Sequence, residues 1–143
     1  MKHWKHWMVG ALALAALAGC GGDDKTALAR KTVQIYWQDI NQGKWRQAYH
    51  MMTTGQQQAT TISDYVKNWA DFLTNSTGGV TAVVGQPRVD GSCAKVPITL
   101  KSPRTYSPKQ YLHAYQDLYW QNGEWRISNE LGALTHSAIL ACA

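Results

Sequence analysis

The chain is poor in acidic residues and in cysteine, and it has no apolar stretch of membrane-spanning length. Its 143 residues include 9 Asp and Glu, 3 Cys, 4 Pro and 1 Phe. The N-terminal apolar run, Met8 to Gly19, has 12 residues, whereas a helix that crosses a bilayer needs about 20. No permanent membrane span is therefore predicted.

Nucleic-acid binding and metal binding are also not predicted. The net charge is +5, but the basic residues are scattered and form neither a run nor a helical stripe. There is no close cysteine pair, and His50, His113 and His136 are far apart in sequence. Without a Gly-rich phosphate loop or a nucleophile elbow, the sequence predicts no cofactor.

The first residues have the layout of a secretion signal, with Lys2 and Lys5 before the apolar run. The stretch that ends this run, Leu-Ala-Gly-Cys at residues 17–20, resembles the lipobox of bacterial lipoproteins. The resemblance implies that residues 1–19 are removed as a signal peptide and that Cys20 carries a diacylglycerol on its sulfur. It also implies a fatty acyl chain such as palmitate on the new amino terminus. Each buried methylene contributes about 0.8 kcal/mol, so two or three chains hold a protein firmly. The expected location is the cell envelope, outside the cytoplasm.

The remaining residues are enough for one domain. Removing 19 of the 143 residues leaves 124, which suits a single core and is too short for two domains. We expect residues 20–25 to be a flexible tether and residues 26–143 to be the domain. Besides Cys20, only Cys93 and Cys142 are present, and in an oxidising compartment they are expected to form a disulfide. Its loop of about 50 residues would contribute about 4 kcal/mol in the chain-entropy model.

Hydrophobic periodicity predicts helices first and strands afterwards. A first helix runs from a cap at Asp24 to a stop at Gly43, a second covers KWRQAYHMM, and a third follows a cap at Ser63. The segment TTGQQQATT between them is predicted to be a polar loop. After Gly79 the period changes to two, and a hairpin is centred on the DG turn, where loops of two and three residues both fit. In its second strand Cys93 points away from the core.

The sequence predicts the last hairpin in the most detail, down to individual residue pairs. A two-residue type I′ loop at Asn122 and Gly123 sets the register of the flanking strands. The face toward the core then pairs Trp120 with Trp125, Leu118 with Ile127, and Gln116 with Asn129. The opposite face pairs Tyr119 with Arg126, Asp117 with Ser128, and Tyr115 with Glu130.

Helices followed by long hairpins, with YWQDINQGKWRQAYHMM early and NGEWRISNE late, resemble the nuclear transport factor 2-like superfamily. The resemblance implies an α+β fold in which N-terminal helices pack in a strongly bent antiparallel sheet of about four strands. The cone-like shape often holds a ligand or an active site at its open end, and members often dimerise through the open face of the sheet. Enzymes of the superfamily usually carry an Asp and a His inside the cone. The inward positions predicted for the last hairpin contain no ionisable residue.

Three functions follow from these observations. The first is a non-catalytic binding or accessory module, tethered to a bilayer through Cys20, with a protein partner or a second copy on the outer sheet face. Its candidate interface is Tyr111, Tyr115, Tyr119 and Arg126. The alternative is a carrier of a small apolar ligand, with a candidate pocket of Trp37, Gln116, Leu118, Trp120, Trp125, Ile127 and Asn129. The third is an enzyme of the same fold, which would need Asp39 or His50 to face the cup.

Overall fold

The computed structural model describes residues 21–74, 79–101 and 111–133, and the side chains of residues 24–74, 79–101 and 113–128. Helices come first along the chain and strands afterwards, as the periodicity predicts. The helices are α1 Gly21–Asn41, α2 Trp45–His50, α3 Thr54–Ala59 and α4 Ile62–Thr74. The strands are β1 Thr81–Val84, β2 Arg88–Asp90, β3 Cys93–Lys101, β4 Tyr111–Gln121 and β5 Glu124–Ala133.

The strands form one antiparallel sheet in the order β1-β3-β4-β5, and β2 pairs with β3 beside β1. Thr81 lies opposite Lys101 at one end of β3, and Arg88 lies opposite Lys95 toward the other. Since β1 and β2 occupy the same edge, five strands fill four positions. The helices and the strongly curled sheet confirm the predicted α+β cone-like fold.

Helix α1 is amphipathic along its whole length. Its buried stripe, which packs into the core, consists of Ala29, Val33, Tyr36, Trp37 and Ile40. The helix begins at Gly21, so the predicted tether at residues 20–25 is helical from Gly21 onward. The first turns are held by the sheet, because the Trp125 indole N–H donates to the carbonyl of Lys25 at 2.9 Å. Asp24 near the positive end of the helix dipole also favours this start.

The polar segment after α2 differs from the prediction of a loop, because it forms α3. The Gln57 side-chain amide donates to the carbonyls of Tyr49 and Met52, both at 3.1 Å, and so ties α3 to the preceding helix. The cap of α4 is Thr61 rather than Ser63. The Asp64 backbone N–H donates to the Thr61 hydroxyl at 3.1 Å, and that hydroxyl bonds the Asp64 carboxylate at 2.7 Å.

The β2–β3 hairpin has a two-residue loop, but its loop residues are Gly91 and Ser92 rather than the predicted Asp90 and Gly91, since Asp90 lies opposite Cys93. Gly91 in this loop has a φ of 57°, which favours glycine. Cys93 belongs to the outer face by alternation and is outside the core cluster, yet it is only 5% exposed. Cys142 lies outside the described residues, so the disulfide stays a prediction.

The β4–β5 hairpin follows the predicted register only near its turn. Trp120 lies opposite Trp125, and Leu118 lies opposite Ile127. A bulge follows, after which Gln116 lies opposite Leu131, so the predicted pairing of Gln116 with Asn129 is wrong. On the opposite face Tyr119 lies opposite Arg126 as predicted. The other two predicted pairs, Asp117 with Ser128 and Tyr115 with Glu130, fail because β5 carries two extra residues there.

The edge of β5 is covered by the segment that follows α2. The Ile127 backbone N–H donates to the carbonyl of Met51 at 2.8 Å, and the Thr53 N–H donates to the carbonyl of Ile127 at 2.9 Å. These two bonds satisfy the edge of the strand at Ile127. They also fix the end of α2 beside the β4–β5 hairpin.

Candidate functional site

The predicted cone pocket is occupied by its own side chains. Leu118 and Ile127 are 0% exposed, Gln116 is 2% exposed, and Trp37 and Trp125 are 4% exposed. All but Gln116 belong to one hydrophobic core cluster, against which the half-buried Trp120 packs. The side chain of Asn129 lies outside the described residues. The described candidate residues therefore form a packed core.

Gln116 is a polar side chain within this core, and its partner belongs to the backbone. Its side-chain amide donates to the carbonyl of Ser128, which lies in the β5 bulge. In a β-bulge the extra residues do not pair with the neighbouring strand, so their backbone groups need hydrogen-bond partners elsewhere. The buried amide provides that partner. We infer that this hydrogen bond stabilises the bulge. The predicted cross-strand pairing of Gln116 with Asn129 is not formed.

A layer of aromatic rings joins the helices. Trp37 packs edge-on against Trp69 with ring centroids 5.9 Å apart, and Tyr65 packs against Tyr49 at 5.5 Å. The hydroxyls of Tyr36 and Tyr65 share a buried hydrogen bond of 2.9 Å. Burial, then the neighbouring Tyr65, raises the pKa of Tyr36 well above its ordinary value. Burial also raises the pKa of Tyr65, against the lowering effect of its hydrogen bonds. Both phenols are therefore held neutral.

Among the described residues, the Trp37 indole N–H has no hydrogen-bond partner, although the atom is buried. By contrast, the equally buried Trp125 donates its N–H to the carbonyl of Lys25. An unpaired buried donor is costly, and such groups are rare in folded proteins.

The outer sheet face carries the predicted interface residues in part. Tyr119 is 39% exposed and Tyr115 is half-buried. Arg126 is committed within the chain, because its guanidinium donates to the carbonyl of His50 and to the carboxylate of Glu124. The side chain of Tyr111 lies outside the described residues. Because the Arg126 guanidinium is already bound within the chain, fewer groups on the outer sheet face are available to a partner than the sequence predicts.

A cavity of about 400 Å³ lies between α1, the end of α2 and the β4–β5 turn, and we call it the α1 groove. The helix lines it with Leu28, Lys31, Thr32 and Ile35. The hairpin lines it with Trp120, Gly123, Glu124, Trp125 and Arg126, and the end of α2 contributes His50 and Met51.

Contacts between α1 and the hairpin fix the walls of the α1 groove. Trp120 and Trp125 pack edge-on with ring centroids 5.1 Å apart. The Lys25 ammonium lies 4.6 Å from the centre of a Trp120 ring, within the range of a cation–π contact. On the opposite wall, the bond between Arg126 and the carbonyl of His50 joins the hairpin to α2. The groove is thus bounded by elements that bind each other directly.

The α1 groove combines apolar walls with a cation. Leu28 is 46% exposed and Ile35 is 39% exposed, and both line the same wall of the groove. Lys31 on the same wall is exposed. The Glu124 and Arg126 pair neutralises the opposite wall. The groove can therefore accept an apolar group that carries a carboxylate.

The α1 groove as a whole was not predicted from the sequence, although the candidate pocket residues Trp120 and Trp125 line it. Leu28 and Ile35 are seven residues apart, on a face that lies beside the predicted core stripe. Of the two residues considered for an enzyme, His50 lies on the groove and is exposed, whereas Asp39 is half-buried on α1 and does not line it. Within the described residues, no cluster of three or more His, Cys, Asp or Glu could hold a metal ion. No described helix is both long and apolar enough to cross a membrane.

Comparison with known proteins identifies the kind of fold. No protein-family model and no curated protein matches the sequence. Among solved structures, 32 chains are similar to it. One is a crystal structure from Streptomyces avermitilis, named "a putative dehydratase from the NTF2-like family", with a TM-score of 0.55 and 11% identity. The match covers 73% of this chain and 92% of that chain. At this identity the likeness shows the fold alone: the chain has a domain of the nuclear transport factor 2-like fold.

Proposed function

We propose that the protein is a lipid-anchored lipoprotein of the cell envelope whose domain is a non-catalytic binding module. Its binding surface is the α1 groove. The observation that carries the proposal is the pair of exposed aliphatic residues, Leu28 and Ile35, beside the exposed Lys31 on a wall of a 400 Å³ groove. We propose as partner a protein that presents an apolar side chain next to a carboxylate. Large exposed apolar residues with a charged neighbour are typical of such contacts.

Two features favour binding over catalysis. A dehydratase must move protons, and this needs an acid or base beside the substrate. The described candidate residues of the cone are apolar apart from Gln116, whose amide is used by the carbonyl of Ser128. The two buried phenols, Tyr36 and Tyr65, bond each other. We therefore do not extend the dehydratase activity in the name of the Streptomyces protein to this chain.

Photocrosslinking in the host tests the binding surface. A photoreactive amino acid replaces Ile35 in the groove, and a matched control replaces the neighbouring exposed residue Gln34. We expect one protein, identified by mass spectrometry, to crosslink to position 35 and not to position 34. Lys31→Glu should remove that product if a carboxylate binds there. Equal products at positions 35 and 34, or a product that is insensitive to Lys31→Glu, would contradict the proposal.

The anchor is tested separately through Cys20. Mass spectrometry of protein from its host should find diacylglycerol and an acyl chain on Cys20, and Cys20→Ala should release the protein from membranes. A mass that matches an unmodified thiol would refute the anchor. Non-reducing peptide mapping in the same sample tests the proposed bond between Cys93 and Cys142.

A second candidate function is a carrier of a small ligand. It is favoured by the Trp37 indole N–H, for which the described part of the chain provides no hydrogen-bond partner. A ligand with a hydrogen-bond acceptor would satisfy that donor. Native mass spectrometry of protein from its host should then show a bound small molecule, and Trp37→Phe should reduce its occupancy. A chain that carries no added mass would eliminate this candidate.

A further inference from the structure

The attachment of α1 to the sheet determines which end of the domain lies near the predicted anchor. Helix α1 begins at Gly21, directly after Cys20. A helix rises 1.5 Å per residue, so Lys25 is about 6 Å from Gly21 along the axis. The Trp125 N–H donates to the carbonyl of Lys25 at 2.9 Å, and the Lys25 ammonium lies 4.6 Å from a Trp120 ring. The helix start therefore cannot swing freely from the hairpin.

The same end includes the turn between β2 and β3. The Trp120 backbone N–H donates to the carbonyl of Ser92 at 2.7 Å. Lys25, Leu28, Ser92 and Trp120 thus belong to one end of the domain, which we call the anchor-side end. Trp45 belongs to the opposite end, because its indole N–H donates to the carbonyl of Ile40 at 3.1 Å. Ile40 is about 22 Å from Lys25 along α1.

We propose that the anchor-side end docks on the membrane that carries the lipid, with Trp120 at the level of the headgroups. This inference rests on the proposed lipid anchor at Cys20. The chain that joins the anchor to Lys25 is too short, and from Gly21 too regular, to hold this end away from the bilayer. One polar headgroup layer is about 5–8 Å thick, which is comparable to the distance between Gly21 and Lys25.

The residues at this end suit a lipid surface. Trp prefers the membrane interface, because its ring is apolar and its N–H is polar. Trp120 is half-buried, Leu28 is 46% exposed, and Lys25 provides an ammonium for lipid phosphates. The α1 groove begins at this end, since Leu28 and Trp120 line it. A partner in the groove would therefore be held close to the membrane.

Fluorescence quenching tests this orientation. Protein extracted from its host is reconstituted in vesicles of phosphatidylcholine and phosphatidylglycerol whose chains are brominated near the glycerol. We expect the quenched fraction of tryptophan emission to fall at least twofold in Trp120→Phe. It should not fall in the matched control, Trp45→Phe, because Trp45 is also half-buried but lies at the far end. Circular dichroism confirms that both variants fold.

Equal quenching in the two variants, or no quenching of the parent protein, would overturn the proposal. If mass spectrometry finds no lipid on Cys20, the same chain is coupled through that thiol to a maleimide lipid and measured again. Failure of the anchor and failure of the docking surface are thereby distinguished. A six-residue Gly-Ser insertion after Cys20 should leave Trp120 quenched, and loss of quenching there would show that the tether alone set the position.

Discussion

The hydrogen bond between Gln116 and the β5 bulge leads to a prediction about the stability of the fold. We expect Gln116→Met, which keeps the length of the side chain and removes its amide, to destabilise the fold. Gln116 is 2% exposed, and its amide donates to the carbonyl of Ser128 in the bulge. Losing one hydrogen bond costs about 1 kcal/mol net, and leaving its acceptor unsatisfied raises the cost to about 1–3 kcal/mol. We expect the free energy of unfolding to fall by about 2 kcal/mol.

The measurement is urea and thermal denaturation followed by circular dichroism. For a domain of this size, 1 kcal/mol corresponds to about 4 °C in Tm, so Gln116→Met should melt about 8 °C lower. The control is Gln58→Met, since Gln58 is exposed on α3 and its replacement should change the free energy of unfolding by less than about 0.5 kcal/mol. If Gln116→Met were as stable as the parent, the amide would not be holding the bulge.

Three further predictions concern other buried or capping groups. Trp125→Phe should cost about 1–3 kcal/mol more than Trp37→Phe in urea denaturation, because both rings are 4% exposed but, within the residues that the structure describes, only the Trp125 N–H makes a hydrogen bond; equal costs would show that the Trp37 N–H is satisfied. The pKa of Tyr36 is raised above its ordinary value of 10.0 by burial, so its contribution to stability is present below pH 10.0 and is lost as the pH rises further. Tyr36→Phe should therefore reduce the alkaline decline in unfolding free energy by about 1.4 kcal/mol per pH unit, and an unchanged slope would contradict this. Thr61→Ala should lower stability by about 1 kcal/mol and Ser63→Ala by clearly less, measured by thermal melts, and the reverse order would restore Ser63 as the cap.

Local patterns predicted the parts of the fold in which neighbours along the chain decide the structure. The Asn-Gly turn fixed the register of Trp120 and Trp125, and Asn122 has the φ of 52° that such a turn requires. The core stripe of α1 followed from its spacing alone. The kind of fold, which was expected from a resemblance, agrees with the Streptomyces structure.

The structural features that were not predicted from the sequence depend on contacts between segments that are distant along the chain. The bulge depends on Gln116 reaching the carbonyl of Ser128, and no spacing rule signals two extra residues in β5. The helical start at Gly21 depends on Trp125, which is 100 residues from Lys25 in the chain. The α1 groove likewise needs the hairpin and α2 to meet beside α1. Trp37, which was expected to line a pocket, lies in the core instead, where Trp69 of α4 packs against it.

The edges of the sheet have a consequence if the proposed lipid anchor concentrates the protein on a membrane. Ile127 on one edge already bonds the segment after α2, and the other edge is broken between β1 and β2 at Gly85, Gln86 and Pro87. Proline has no backbone N–H to offer an incoming strand. Growth by strand addition is therefore interrupted on each flank. Neighbouring copies on a membrane would then not be expected to pair edge to edge into a continuous β-sheet.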